Sequence, residues 1–384
     1  VMGRSSRESI SQVKMVSRIV SRMRPVTAAV LRSSGGPFEL ADLQLDDPRP
    51  DEVVVRTVAA GICGTDLEFA SMMATPVVLG HEGAGVVDQV GADVADLKVG
   101  DRVTMTFARC GTCRPCSARA FAYCERFWEY NFIGTRPDGS TALRDADGTP
   151  VNGHFLGQSS FASHTLAKRT SVVRVPDAMD LSVSAPFGCG FQTGAGGVLN
   201  VLRPAPGSSI AVFGAGAVGA AALAAAKIAD CGTIIAVDVA SARREQALAL
   251  GATHAIEAGE GLAERVRDLA DGGVDFAIDT TGRAEVLRAA VEALAPLGTC
   301  GVIGVGASAE MSFEWRSVLN GRTITGIIAG GGVPEDFLPQ LIDLHLEGRF
   351  PVDTLLTRFP FADINDAVAE LRAGSVGKAV LTFE

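Results

Sequence analysis

Two textures of hydrophobic and polar positions divide the chain near residue 187. From Val26 to about Pro186, short β-branched runs are broken by Gly, Pro and Asp, as in "DEVVVRTVAAGIC" and "GAGVVDQVGADVADLKVGDRV". Apolar runs between turn formers predict a series of short strands. From about Phe187 the pattern changes. "SSIAVFGAGAVGAAALAAAKIADCGTIIAVDVA" reads as an apolar strand, a Gly-rich turn, an Ala-rich helix and a second apolar strand. A helical stretch from Arg243 to Leu250 follows, and "VDFAIDTTG" and "GTCGVIGVG" add buried strands. Strands alternating with helices predict a parallel, doubly wound sheet. After about Gly332, "EDFLPQLIDLHLEGRF" is helix-like, and "KAVLTFE" closes as a strand that can return to the first module. The expectation is an α/β chain: a β-rich module over 25–187, a doubly wound module over 188–330, and a return to the first over 331–384. No internal repeat stands out.

Residues 1–24 differ from the rest. Arg4, Arg7, Lys14, Arg18, Arg22 and Arg24 face only Glu8, among many serines. A basic, Ser-rich, acid-poor segment resembles an organelle transit peptide. The favoured reading is a disordered tail or an over-extended start, since Met15 and Met23 lie just ahead of the first strand-like segment. No apolar core follows, so a secretory signal is not expected.

Composition narrows the function. The 384 residues are 47% hydrophobic and 20% charged, with a formal net charge of −10. That charge argues against a nucleic-acid surface. The apolar stretch Ala220–Ala226 is too short and too weakly hydrophobic to span a bilayer.

Chemistry enters with the glycines. Gly214, Gly216 and Gly219 have G-x-G-x-x-G spacing, with Val218 inside it, after an apolar strand and at the start of a helix. In that context the motif predicts a dinucleotide site: a tight turn, close approach of backbone to a pyrophosphate, and free helix N–H groups for the phosphates. The next strand ends in Asp238, which can accept both ribose hydroxyls and repel a 2′-phosphate, favouring NAD over NADP. Arg243, close by, could instead tolerate a phosphate.

A dinucleotide-binding chain without a secretory signal is expected in a reducing compartment, the cytoplasm, where structural disulfides are disfavoured. Cys110, Cys113, Cys116 and Cys124 follow C-x2-C-x2-C-x7-C spacing. That is too compact for two unstrained disulfides but suits four thiolates around one tetrahedral zinc. Such a closed site is structural. Cys63, His81 and Cys189 lie apart, each flanked by glycine. Singly each reads as a core residue. Jointly they form the ligand set of a catalytic zinc with an open position, with Asp66 available to orient His81. Cys231 and Cys300 read as core residues. Phe107, Trp128, Tyr130 and Phe132 either line an apolar substrate pocket or pack the cysteine lobe onto its module. His154 and His164 read as polar surface or turn residues.

In order along the chain, "GICGTD", "LGHEGAGVV", "LKVGDRV", the cysteine lobe, "GCGFQTGAG" and "FGAGAVG" resemble the zinc-dependent medium-chain alcohol dehydrogenases over about Val26 to Glu384. "GQSSFASHTL" and "GCGFQTGAGGVLNVL" are most similar to the aryl-alcohol (benzyl alcohol) dehydrogenases among them. The resemblance implies a GroES-like catalytic domain, a Rossmann NAD-binding domain, two zincs per chain, a homo-oligomer (dimer or tetramer) and a small alcohol or aldehyde substrate. It assigns Cys63, His81 and Cys189 to the catalytic zinc and the four lobe cysteines to the structural one. Glu82 takes the acidic position that approaches the metal, Thr65 the hydroxyl that takes the alcohol proton, and Thr193 the nicotinamide side. Asp238 and Arg243 take adenosine-ribose contacts, and Lys378 a pyrophosphate contact where Arg is familiar. Two positions depart: Glu68 stands where a relay His is frequent, and Gly64 where some members place a basic residue. An aliphatic or thiol-adduct substrate, a non-enzymatic NAD-binding protein and a zinc-free quinone reductase are the competing readings. The complete Cys/His/Cys set argues against the last two.

Overall fold

The computed structural model describes residues 23–304 and 310–384. The predicted N-terminal extension falls outside them except for its last two residues, and Arg24 already opens a strand.

The first module is built on two antiparallel sheets. In one, Arg24–Leu31 pairs with Phe38–Leu45, flanked by short strands at Val77–Val78, Leu143–Arg144 and Pro150–Val151. The other centres on Glu52–Gly61, which is buried along almost its whole length because it has neighbours on both sides. Glu82–Val90 lies on one side and the C-terminal strand Lys378–Thr382 on the other. The chain end is therefore part of the first module's sheet, and the register sets Glu82 opposite Gly61 and Val380 opposite the same residue.

The second module is a six-stranded parallel sheet in the order His254–Glu257, Thr233–Asp238, Ser209–Phe213, Val274–Asp279, Leu294–Val302, Thr323–Gly326. Its first three strands in sequence sit side by side in reversed order, and the later strands extend the other edge, as in a dinucleotide-binding doubly wound sheet. Ser209–Phe213 is apolar at almost every position because helices cover both faces. Ile210 and Val212 pack toward the Ala-rich helix Ala217–Ile228. Ala211 and Phe213 pack on the other side, with Leu262, Val266, Leu287 and Val291. One apolar core continues from this sheet through Phe187, Phe191, Leu338 and Phe350 to Ala59 and Val380 of the first module. The segment carrying Cys189 is thus clamped between the two sheets. Among the described residues, no helix is long and apolar enough to cross a membrane.

Candidate active site and metal centres

Asp66 organises the first cluster. The strand Glu52–Gly61 ends just before Cys63, which caps the short helix Gly64–Phe69. The Cys63 backbone N–H donates to Asp66 Oδ2 at 2.9 Å. Asp66 Oδ1 accepts from the Gly80 N–H at 3.1 Å and from His81 Nδ1 at 2.8 Å. One fully buried carboxylate therefore fixes the backbone of one candidate ligand and the ring of another. With Nδ1 protonated toward Asp66, His81 Nε2 turns its lone pair inward, 3.2 Å from Cys189 Sγ. Cys189 caps the helix Gly190–Gly196. The donor atoms of Cys63, His81, Glu82 and Cys189 all lie within 4.8 Å of one another.

The groups of this cluster share protons. A hydrogen bond from Cys189, with help from the Lys378 charge, holds the Cys63 thiol well below its usual range despite burial. The same hydrogen bond and burial push Cys189 well up. Burial opposes a charge on His81, but Asp66 outweighs it and raises the imidazole well above its usual value. A metal ion would take the place of the protons these groups share, and two thiols with an imidazole are a zinc donor set.

Glu82 is held beside the cluster. Its Oε1 accepts from the Gly190 N–H at 3.3 Å, and its Oε2 lies 2.5 Å from Lys378 Nζ. Burial lifts the Glu82 carboxyl to about 7, against the opposing Lys378 charge. Lys378 is buried and also donates to the Ile62 carbonyl at 3.0 Å. Lys378, the residue expected to contact the pyrophosphate, pairs here with Glu82 beside the candidate ligands. Thr65 Oγ1 is 3.8 Å from Cys63 Sγ. Glu68, one turn further along the helix, is half-buried, and burial and then the Cys63 charge raise its carboxyl.

The second cluster is the cysteine lobe. Cys110 and Cys116 Sγ are 3.9 Å apart, as are those of Cys113 and Cys124. Tetrahedral zinc–sulfur bonds of about 2.3 Å give sulfur–sulfur edges of about 3.8 Å; these two edges match that, and all four sulfurs lie within 4.8 Å of one another. Backbone N–H groups of Thr112 and Cys113 point at Cys110 Sγ, both at 3.4 Å, and with further help from its cysteine neighbours they draw that thiol down to about 6 against burial. All eight cysteines are free.

The glycine loop opens the third part of the site. Gly214 has φ +90° at the turn, and a Cβ on Gly219 would fall 1.8 Å from the Gly214 carbonyl oxygen, so only glycine lets helix and strand close there. The loop borders a cavity of about 730 Å³ lined by Gly214, Gly216, Asp238, Arg243, Thr280 and Thr281. Asp238 accepts from the Ala215 N–H at 2.8 Å and the Ala240 N–H at 2.9 Å, which ties the strand end to the loop. Arg243 Nη1 lies 3.8 Å from Asp238 Oδ2. A Cβ on Gly194 would fall 1.9 Å from the Val218 carbonyl oxygen, so the loop helix lies directly against the helix that starts after Cys189. Thr193 is buried in that second helix, its N–H donating to the Cys189 carbonyl at 2.9 Å.

The aromatic residues divide. Phe132 and Trp128 pack together at 4.6 Å, and Phe132 lies 5.9 Å from Phe155, whose ring meets His81 at 5.5 Å. Phe107 instead packs on Phe127, and Tyr130 lies under Arg126 and Lys168, away from His81. Sequence reading missed Phe155 and Phe69 as part of this group; the four-residue spacing of Trp128 and Phe132 on a helix was the available signal. His154 sits at a turn with φ +56°, within the surface-or-turn reading; its Nε2 is buried without a partner, and burial, then Arg136 and Arg49, lower its imidazole to about 3. His164 lies at the start of a strand beside Ser163.

Comparison with known proteins agrees with this architecture. Residues 49–177 match the alcohol dehydrogenase GroES-like domain family, and residues 217–347 match the zinc-binding dehydrogenase family. A geraniol dehydrogenase of Castellaniella defragrans is 39% identical over 363 residues, covering 93% of this chain and 97% of that one. The crystal structure of an alcohol dehydrogenase zinc-binding domain protein from Burkholderia ambifaria superposes with a TM-score of 0.92 at 46% identity, over 94% of this chain and all of that one. Benzyl alcohol dehydrogenase from Acinetobacter calcoaceticus gives 0.91 at 39% identity, with the same coverage.

Proposed function

The chain belongs to the zinc-dependent medium-chain alcohol dehydrogenase family, and on that footing we propose that it interconverts a primary allylic or aromatic alcohol and its aldehyde: R–CH2OH + NAD+ gives R–CHO + NADH + H+. The observation that carries this reading is the convergence of Cys63, His81 and Cys189 donor atoms, with Asp66 behind the histidine, beside the helix that abuts the glycine loop. The names of the geraniol and benzyl alcohol dehydrogenases support the allylic or aromatic substrate.

In this proposal Cys63, His81 and Cys189 hold one zinc and the four lobe cysteines hold a second. When bound, the first zinc supplies a Lewis acid and NAD supplies the hydride acceptor. The chain does the rest. Asp66 keeps His81 in the ligating tautomer. Thr65 accepts the proton of the substrate hydroxyl, and Glu68, three residues on along the helix, passes it toward solvent. Lys378 and the Gly190 N–H hold the Glu82 carboxylate beside the ligands. The free N–H groups of the loop helix take the pyrophosphate, Asp238 and Arg243 the adenosine ribose, and Thr193 borders the nicotinamide. Phe132 and Phe155 keep water from the reacting carbon. Six cysteines placed for zinc ligation, which needs reduced thiolates, support a reducing compartment such as the cytoplasm. Thr323–Gly326, the edge strand of its sheet among the described residues, with exposed Leu297, Leu319 and Ile328 in the same module, supports pairing of two copies into a homo-oligomer.

The test is turnover of benzyl and allylic alcohols with NAD and NADP by the zinc-loaded protein and its Cys63→Ser variant. The expected result is NADH formation with a much lower kcat/KM for NADP, lost in the variant while one zinc stays bound. Full activity in the variant would refute the ligand assignment.

A further inference from the structure

Two buried glutamines stand behind the candidate ligands, one from "GQSSFASHTL" and one from "GCGFQTGAGGVLNVL". Gln158 completes a ladder that stops short. Pairing between the strands Glu82–Val90 and Arg102–Met105 ends at Ala84 opposite Thr104. Just past that end, the Gln158 amide takes the place of a strand peptide. Its Oε1 accepts from the Gly83 N–H at 3.0 Å, and its Nε2 donates to the His81 carbonyl at 2.8 Å. One amide, with an acceptor and two donors, therefore grips the backbone on both sides of Glu82. Its second N–H points at the Thr106 carbonyl, 3.5 Å away.

Gln192 does the same for the other segment. Its Nε2 donates to the Thr106 hydroxyl at 2.7 Å and to the Gly188 carbonyl. Gly188 directly precedes Cys189, which breaks the chain between the helical stretches Ala185–Gly188 and Gly190–Gly196. A Cβ on Gly188 would fall 1.8 Å from the Met105 carbonyl oxygen, so this segment lies directly against the end of the strand Arg102–Met105. Thr106 is the point where the two amides meet. It is fully buried, and its own N–H donates to the Ser171 carbonyl at 2.8 Å. Apolar side chains of similar volume would fill this space without the cost of burying amides, but they could not take up the Gly83 N–H and the His81 and Gly188 carbonyls.

We propose that Gln158 and Gln192, anchored together at Thr106, are positioning residues of the metal cluster. They hold the backbones of His81 and Cys189, which are 108 residues apart in sequence, so that His81 Nε2 and Cys189 Sγ stand 3.2 Å from each other. The proposal rests on the proposed metal ligation by Cys63, His81 and Cys189 and adds to it the groups that keep two of those ligands in place. When one of these side chains is truncated, the stranded polar group costs the same with and without metal. What differs is the freedom of the ligand segment to relax when no ion holds it, and binding must take that freedom back. The lobe thiols accept instead from backbone N–H groups of Cys110, Thr112, Cys113 and Glu125 within their own loop, so their site serves as a reference.

The test compares the full chain with Gln158→Met, Thr106→Val and Thr106→Ser. Valine keeps the shape of threonine without the hydroxyl, and serine keeps the hydroxyl. Chelator competition on the zinc-loaded proteins should show one zinc held about tenfold more weakly in Gln158→Met, the lower end of what ligand-orienting partners contribute. In Thr106→Val the loss should be about fivefold, the worth of one neutral hydrogen bond. Thr106→Ser should match the wild type, and the lobe zinc should be held alike in all four proteins. In the cobalt-loaded proteins, the visible bands that report ligand geometry should move in Gln158→Met and Thr106→Val and stay in place in Thr106→Ser. Equal zinc affinities and unmoved cobalt bands in all four proteins would overturn the positioning role and leave the ligand assignment standing. A Thr106→Ser protein as weak as Thr106→Val would also overturn it, since the lost methyl group and not the hydroxyl would then be responsible. If Gln158→Met does not fold, the Thr106 pair decides alone. A wild type that holds no zinc outside the lobe would overturn both the positioning role and the ligand assignment.

Discussion

Replacing Asp66 with Asn exchanges one carboxylate oxygen for an NH2 group and leaves the packing volume almost untouched. Asp66 is fully buried and accepts three hydrogen bonds, from Cys63 N–H at 2.9 Å, Gly80 N–H at 3.1 Å and His81 Nδ1 at 2.8 Å. An amide has one accepting oxygen. If that oxygen takes the Oδ1 position, it keeps Gly80 and His81, but the new NH2 group faces the Cys63 N–H. The flipped amide faces two donors and is worse. The better arrangement still strands one buried donor, which costs about 1–3 kcal/mol. Removing the formal charge weakens the His81 bond by about 1 kcal/mol more. The stranded donor burdens the metal-free and the metal-bound fold alike, so affinity for a metal held by Cys63 and His81 falls by the His81 share, about 1 kcal/mol or roughly fivefold, near the lower end of what ligand-orienting partners contribute. Chelator competition with a metallochromic indicator reads this directly. The Asp66→Asn protein should surrender one zinc at a chelator concentration about fivefold lower than the wild type. The zinc of the cysteine lobe, which shares no hydrogen bond with Asp66, serves as the internal reference. Identical release curves for the two proteins would refute the orienting role.

Two other outcomes are expected. Lys378→Met removes the partner of a buried Glu82 whose carboxyl already stands at about 7; the acid then takes up a proton near neutrality, so the loss should be about 1–3 kcal/mol in folding free energy at about pH 7 and grow as the pH rises. Thermal unfolding checks this, and an unchanged Tm with only a higher KM for NAD would show a pyrophosphate contact instead. His154, held neutral with its imidazole lowered from 6.5 to about 3, makes the protein acid-sensitive. Between those values the unfolded chain binds a proton that the folded one does not, so stability falls as pH drops through that window. In His154→Asn, whose side chain tolerates the positive φ, denaturant titrations from pH 6.5 down to 4 should give a slope of unfolding free energy smaller by about one proton; a slope equal to the wild type would contradict the burial argument.

The parts legible in the sequence were those set by local pattern. Ser209–Phe213 is apolar throughout because it is covered on both faces, and the loop glycines are dictated by contacts within a single strand–turn–helix unit. The lobe cysteines likewise lie within fifteen residues of one another. What depends on non-local register was not legible. Lys378 reaches Glu82 because the C-terminal strand and Glu82–Val90 flank the same strand, with Val380 and Glu82 both opposite Gly61. Nothing near either residue announces that pairing. The aromatics show an intermediate case. Trp128 and Phe132, four apart, share one face of their helix, while Phe127 and Asn131 share the buried one. Tyr130 belongs to neither, and helical phase alone would have separated it. The lowered imidazole of His154 depends on its packing and on Arg136 and Arg49, which come from elsewhere in the chain.

The most direct measurement is an anomalous-difference map from crystals of the zinc-loaded protein at the zinc edge. The account requires one peak about 2.3 Å from both Cys63 and Cys189 Sγ and about 2.0–2.1 Å from His81 Nε2, and another among the four lobe cysteines. A map with no peak at the first position, or with an ion there that does not touch all three side chains, would contradict it.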